Sequence, residues 1–177
     1  MIALSAPPVT EAQIAAGLDH TLATLGLFHV YPEVTGTLTQ PRPGQPDKNM
    51  RIDRLLLPTH KLIDSGWTSG AIGIEVKRSG DDKTLGPAVS QAMDYTRTTF
   101  TLPSGVRITP NLVFLYPFEK PGGPIASVMA QNNVGTAKSN AWDPLMLQLP
   151  HANVLHIKAD GTWTTVTPTS GRKAGSR

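Results

Sequence analysis

Hydrophobic residues recur along the chain with two different periods, which predict both helices and strands. A period of about 3.6 over residues 10–25 predicts a helix with Thr10 as its N-cap and Gly26 at its end. A second helix is predicted to run to about Phe100, with Pro87 in its first turn. Alternating or β-branched runs predict strands at residues 27–34, 50–57, 71–77, 111–118, 153–157 and 163–166.

Glycine and proline separate these elements. Residues 36–49 and 122–140 are rich in both and are predicted to be loops, and Pro32 predicts an edge or a bend in the first strand. The helix between the third and fourth strands predicts a crossover between parallel neighbours, and hence an α/β fold with a mixed sheet. We expect one domain over residues 1–169 and a basic, flexible tail over residues 170–177.

Composition narrows the possible functions. The 177 residues carry 16 Lys and Arg against 13 Asp and Glu, a mild excess that does not predict a surface coated with nucleic acid. The absence of cysteine excludes disulfides, thiolate metal sites and cysteine nucleophiles, and it favours a reducing compartment. With neither a signal-peptide pattern nor a long apolar run, we expect a cytoplasmic protein without a membrane segment.

Charged residues interrupt two of the apolar strands. Asp53 lies in the second strand, and Glu75 and Lys77 share one face of the third strand with Gly73, whose missing side chain would admit a ligand. Buried charges cost several kcal/mol unless they are paired or bind a metal. One interpretation is a structural ion pair, either Asp53 with Lys77 or Glu75 with Arg51.

The other interpretation is a metal site. Asp53 and Glu75 would supply the two carboxylates that Mg²⁺ (or Mn²⁺) commonly takes from a protein. Lys77 would hold or deprotonate the attacking water and neutralise charge on a scissile phosphate. The metal would polarise a phosphoryl oxygen, so that no protein nucleophile is needed.

Asp53, the Glu75-Val76-Lys77 run and the Gln91/Tyr95 spacing together resemble the PD-(D/E)xK nuclease superfamily, and Gln91 with Tyr95 matches its RecB-type QxxxY extension. VRR-Nuc proteins and Holliday junction resolvases are similar too. The resemblance covers residues 10 to about 118. It implies a restriction-endonuclease-like αβββαβ core with a mixed central sheet and flanking helices.

The same resemblance implies roles for individual residues. Asp53, Glu75 and the Val76 carbonyl would bind the metal, Lys77 would be the motif lysine, and Gln91 and Tyr95 would help to order the site and the DNA. Ile52 stands where the family often has proline. Three acidic residues are further candidates for a metal ligand, although a surface charge is the commoner role for each: Glu11, Asp19 and Glu33.

We therefore expect a Mg²⁺-dependent DNA nuclease, an endonuclease or nickase acting on branched or single-stranded DNA, with a homodimer as its candidate assembly. The alternatives are a non-catalytic DNA- or protein-binding module on the same fold and a nuclease directed at RNA. Arg78 and Lys83 would contact phosphates. The five histidines have no metal-binding spacing, and the three tryptophans either stack on bases or, as is commoner, pack under loops.

Overall fold

The described part of the chain forms one sheet of eleven strands with helices packed against it. The computed structural model describes residues 8–39, 44, 46–67, 70–78, 82–119, 121–148, 154–166 and 173–176. Helices α1 to α4 are Glu11–Leu25, His60–Asp64, Asp82–Tyr95 and Gly123–Gln131. Strands β1 to β11 are Phe28–Leu38, Lys48–Pro58, Ile72–Val76, Thr98–Thr101, Arg107–Ile108, Leu112–Tyr116, Val134–Lys138, Leu145–Gln148, Val154–Ile157, Trp163–Val166 and Lys173–Ser176.

The sheet is mixed, as predicted. Its spatial order is β11-β10-β9-β8-β7-β6-β3-β2-β1-β4-β5. β3 pairs in parallel with β6, and β6 with β7, while the other neighbours are antiparallel. The predicted crossover helix is α3, between β3 and β6. The same connection also contains the β4–β5 hairpin, which the sequence did not indicate and which extends the sheet beyond β1.

Two hydrophobic clusters lie on opposite faces of β3. Ile72, Ile74 and Val76 pack with the buried leucines of α1, including Leu18 and Leu22. The other cluster contains apolar residues of α3 and of neighbouring strands: Ile52, Leu55, Leu85, Val89, Ala92 and Val113. β3 is therefore buried on both faces, which is why a charged residue within it requires an explanation.

The first helix confirms the prediction in detail. The Thr10 hydroxyl accepts from the Gln13 backbone N–H at 3.2 Å, and the Gln13 side chain accepts in return from the Thr10 N–H at 2.9 Å. This capping box satisfies two backbone donors at the start of the helix. Gly26 ends the helix at φ 61°, a left-handed conformation that glycine adopts without strain.

The predicted bounds of the second helix are wrong at both ends. α3 begins at Asp82, so Pro87 lies inside it, and it stops at Tyr95. The Thr98 hydroxyl caps the Asp94 carbonyl at 2.8 Å, and the β-branched residues that follow pair with β1 as β4, so Phe100 is a strand residue. Pairing with a distant strand, which local periodicity does not report, decides this boundary.

Both predicted loops are partly wrong. β1 continues to Leu38 and β2 begins at Lys48. The end of β1 can pair with β4 because Gly36 has no side chain, and a Cβ at this position would collide with the Thr99 carbonyl and the Phe100 ring. Residues 122–140 contain α4 and β7, with Gly122 as the helix N-cap and proline in the first turn. Pro32 lies where β1 pairs only with β2, which confirms an edge position.

The segment expected to be a flexible tail includes β11, which pairs with β10. Residues 170–172 and 177 lie outside the described residues. Within the described residues, no helix is long and apolar enough to cross a membrane.

Candidate active site

Asp53 lies where the pairing of β2 with its neighbours becomes irregular. On one side, the ladder to β3 runs from Leu56–Ile72 to Arg54–Ile74 and stops before Asp53. Beyond that point the Asp53 Oδ2 accepts the Val76 N–H at 2.7 Å, so a carboxylate takes the place of a backbone acceptor. On the other side, Glu33 has φ 53°, a left-handed conformation uncommon for a residue with a side chain. The ladder to β3 therefore ends before Asp53, while β1 stays paired with β2 on both sides of a distortion at Glu33.

Glu75 is almost fully buried, with 3% of its surface exposed, and carries a charge partner within its own strand motif. Lys77 Nζ lies 2.6 Å from Glu75 Oε1. Burial raises the pKa of Glu75, the bond to Lys77 opposes that rise, and the negative charge of Asp53 adds to it. Neither ion pair considered from the sequence forms, since Lys77 pairs with Glu75 and Arg51 pairs with Glu33 at 2.9 Å.

Gln91 and Tyr95 form a hydrogen-bonded pair behind Glu75. Gln91 Nε2 donates to the Tyr95 hydroxyl at 2.6 Å, and that hydroxyl donates to the Arg51 carbonyl. Burial and the nearby Glu75 charge raise the pKa of Tyr95, so the phenol stays protonated. The Tyr95 ring belongs to the apolar core, since it is fully buried beside Phe100 with centroids 5.8 Å apart.

A cleft of about 440 Å³ opens beside Asp53, between α1 and the irregular part of the sheet. Its lining includes the three acidic residues that the sequence offered as further ligands, and each already has a partner. Glu11 accepts the Arg78 backbone N–H at 3.0 Å, Asp19 binds the Arg54 guanidinium through both oxygens at 2.6 and 2.7 Å, and Glu33 pairs with Arg51.

Asp53 and Val76 line this cleft, whereas Glu75 and Lys77 are not among its lining residues. Asp53 and Glu75 together fit a hard divalent cation in one respect. Within the described residues Glu75 Oε2 is buried and accepts no regular hydrogen bond, although the Tyr95 hydroxyl lies close enough to lower the pKa of Glu75. A buried carboxylate oxygen normally has a full partner. Asp53 is close enough for its charge to raise the pKa of Glu75. No group of three His, Asp or Glu side chains suited to a metal occurs in the described residues, so waters and substrate oxygens would complete the coordination.

Other sequence expectations have different outcomes. The space beside Gly73 is filled by Ile52 and Val113, which a Cβ would meet, so the prediction of room for a ligand is wrong. Arg78 is exposed, and the Lys83 side chain lies outside the described residues. Sequence reasoning missed the ion pair between Arg54 and Asp19 and the hydrogen bond from the Tyr95 hydroxyl to the Arg51 carbonyl. Residue spacing does not signal a contact across 35 residues or one made by the backbone.

Comparison with known proteins gives no relative: no family model, curated protein or solved structure matches the chain. The functional argument therefore rests on the geometry at β2 and β3.

Proposed function

We propose that this protein is a metal-dependent nuclease of the PD-(D/E)xK type that hydrolyses phosphodiester bonds in DNA. The observation that carries the proposal is the junction of β2 and β3. There Asp53 binds the Val76 N–H, and Lys77 binds a buried Glu75 whose second oxygen accepts no regular hydrogen bond from the described residues. A structural ion pair between Glu75 and Lys77 accounts for only one of the two carboxylates, and the Asp53 charge beside it raises the pKa of Glu75, an unfavourable arrangement that a bound cation would relieve.

The order of elements supports a restriction-endonuclease-like core. α1 is followed by three antiparallel strands β1, β2 and β3, then by α3, and β6 lies parallel to β3. The β4–β5 hairpin is an addition at the far side of β1, away from the β3–β6 pair. The fold thus keeps Asp53 and Glu75 on neighbouring strands.

Each residue has a distinct task in the proposed reaction. Asp53, Glu75 and the Val76 carbonyl would hold Mg²⁺ or Mn²⁺, which supplies Lewis-acid activation and a bound water of lowered pKa. Lys77 would supply a positive charge for the scissile phosphate, and its bond to Glu75 orients it. Tyr95 fixes the backbone two residues before Asp53 through the Arg51 carbonyl, and Gln91 fixes the tyrosine hydroxyl.

Relaxation of supercoiled plasmid in Mg²⁺ and in EDTA tests the proposal. We expect cleavage only with the metal, and we expect Lys77→Ala to reduce it by at least a hundredfold. The variant should remain folded but melt at a lower temperature, because the buried Glu75 loses its charge partner. Lys61→Ala, an exposed lysine on α2, is the matched control and should cut at the parental rate. Metal-independent cleavage, or full activity of Lys77→Ala, would exclude this mechanism.

The alternative is a binding module that does not cut DNA. It predicts that the protein retains plasmid DNA in a gel without relaxing it at any Mg²⁺ or Mn²⁺ concentration. The proposed homodimer is tested separately, by the molar mass of the protein in solution with and without DNA.

A further inference from the structure

Trp142 is far more exposed than the other two tryptophans. Its exposed fraction is 86%, whereas Trp67 exposes 9% and packs edge-on against Trp163, with centroids 6.5 Å apart. Trp163 also donates its indole N–H to Ser65 at 2.7 Å. Tryptophan is a large, flat side chain that gains much from burial, so an indole exposed to water offers a face on which a ligand can stack.

The turn that carries Trp142 is held by several hydrogen bonds. Asn140 Oδ1 accepts the backbone N–H groups of Trp142 at 2.7 Å and Asp143 at 2.6 Å. Asp143 in turn pairs with His156 Nδ1 on β9 at 2.9 Å. The backbone under the indole is therefore fixed before any ligand arrives, which reduces the entropy cost of binding.

Contacts connect this turn to the candidate active site. The Lys77 backbone N–H donates to the Tyr116 carbonyl, and the Tyr116 hydroxyl hydrogen-bonds Ser139 at 3.0 Å, one residue before Asn140. β3, β6 and β7 are consecutive parallel strands, so Lys77 and the turn follow the same ends of their strands. β7 lies two strand spacings from β3, about 10 Å.

We propose that Trp142 stacks on an unpaired nucleobase of a single-stranded DNA substrate whose phosphate backbone passes Lys77. This inference rests on the proposed function and specifies its substrate. Every nucleobase has a flat face on which an indole can stack without selecting a sequence. In a duplex those faces are covered by neighbouring bases, so a stacking residue favours unpaired strands.

Binding of an oligothymidylate in EDTA tests this inference without any cleavage. We expect the oligonucleotide to quench tryptophan emission, and Trp142→Ala to remove most of the quenching. By anisotropy of a labelled oligonucleotide, Trp142→Ala should weaken binding about tenfold, and Trp142→Phe should restore part of the loss. Val106→Ala, which shortens another exposed apolar side chain, is the matched control and should bind as the parent does. Binding to a blunt duplex should be unaffected by Trp142→Ala.

The outcomes separate this inference from the proposed function. The stacking site is excluded if Trp142→Ala binds single strands with parental affinity, or if the oligonucleotide does not quench tryptophan emission. If the protein nevertheless cuts DNA in the presence of the metal, the proposed nuclease function stands. If binding depends on Trp142 but no metal supports cleavage, the stacking site stands and the nuclease is excluded. Equal loss of single-strand and duplex binding in Trp142→Ala would overturn the preference for unpaired bases.

Discussion

At the level of single residues, the pKa of Glu75 is set by opposing electrostatic effects. Burial and the Asp53 charge raise its pKa, and Lys77 at 2.6 Å only partly opposes them. The folded protein therefore binds the Glu75 proton more tightly than the unfolded chain does, and the ionised carboxylate destabilises the metal-free fold. A nearby cation would relieve this cost.

Glu75→Gln should therefore stabilise the metal-free protein. In EDTA at pH 8 we expect the variant to melt a few degrees above the parent. The gain in stability grows as the pH rises above the ordinary glutamate pKa of 4.5, and it is complete once the pH exceeds the raised pKa of Glu75 in the folded protein. Below pH 4.5 the gain disappears, because the parental side chain is then protonated in both the folded and the unfolded state. Thermal melts across this pH range provide the measurement.

Glu119→Gln is the control for that experiment, because the pKa of Glu119 is shifted in the opposite direction to that of Glu75. Lys138 lowers the pKa of this exposed carboxyl, so removing its charge should give no stabilisation at pH 8. A Glu75→Gln variant that melts below the parent at pH 8 would contradict the electrostatic argument.

Gln91 and Tyr95 should differ in what their loss affects. Tyr95→Phe leaves the part-buried Arg51 carbonyl and the Gln91 amide each without a partner, and should lower the free energy of unfolding by about 1–3 kcal/mol. Gln91→Ala keeps the bond from Tyr95 to Arg51, so we expect turnover to fall by about tenfold with a smaller loss of stability. Urea unfolding and plasmid cleavage measure the two effects, and parental cleavage by Gln91→Ala would reduce Gln91 to a surface role.

At the level of elements, α1 forms one wall of the cleft and is attached to the sheet mainly by Leu18, Leu22 and the ion pair between Asp19 and Arg54. The Arg54 side chain is 9% exposed, so the two-point bond to Asp19 satisfies a buried cation. The position of the helix, and with it the width of the cleft, depends on these contacts.

The capping box of α1 should have a measurable effect on stability. Thr10→Ala removes the acceptor for the Gln13 N–H and should lower the free energy of unfolding by about 1 kcal/mol. Thr24→Ala in the same helix is the control. Its hydroxyl only bonds back to the His20 carbonyl, so its loss should cost little or nothing. Urea denaturation measures both, and equal effects of the two substitutions would contradict the assignment of the cap.

How well each element could be predicted depends on where its stabilising contacts lie in the sequence. α1 carries its cap, apolar face and terminating glycine within a few residues, and all three were predicted from the sequence. β4 and the extended ends of β1 and β2 depend on pairing with one another, and Gly36 was interpreted as a loop residue although it permits that pairing. α4 begins within the Pro-Gly-Gly-Pro run of residues 121–124, which local rules assign to a loop.

At the level of the whole molecule, metal binding should couple to global stability. If Asp53 and Glu75 hold the ion, Mg²⁺ or Mn²⁺ should stabilise the fold by about 2.7 kcal/mol when the free ion is at a hundred times its Kd. Thermal melts during titration provide the measurement. Glu75→Gln should lose the response and Glu119→Gln should keep it, whereas an equal response in both variants would place the ion elsewhere.

The candidate site was more predictable than the surroundings that hold it. Asp53, Glu75 and Lys77 were found because charges in buried strands are rare, and neighbouring strands bring them together. The partners of the site come from distant or backbone groups: Arg54 meets Asp19 across 35 residues, and Tyr95 binds a main-chain carbonyl. Side-chain identity and spacing do not encode such contacts.

The bond from the Val76 N–H to Asp53 has a consequence for the choice of inactive variants. Asp53→Ala would remove a negative charge and also leave a backbone donor without its acceptor, so a loss of activity in that variant would mix chemistry with local misfolding. Asp53→Asn retains an amide oxygen in nearly the same place and removes only the charge. For genetic complementation or for trapping a complex with DNA, the asparagine variant is therefore the informative substitution at this position.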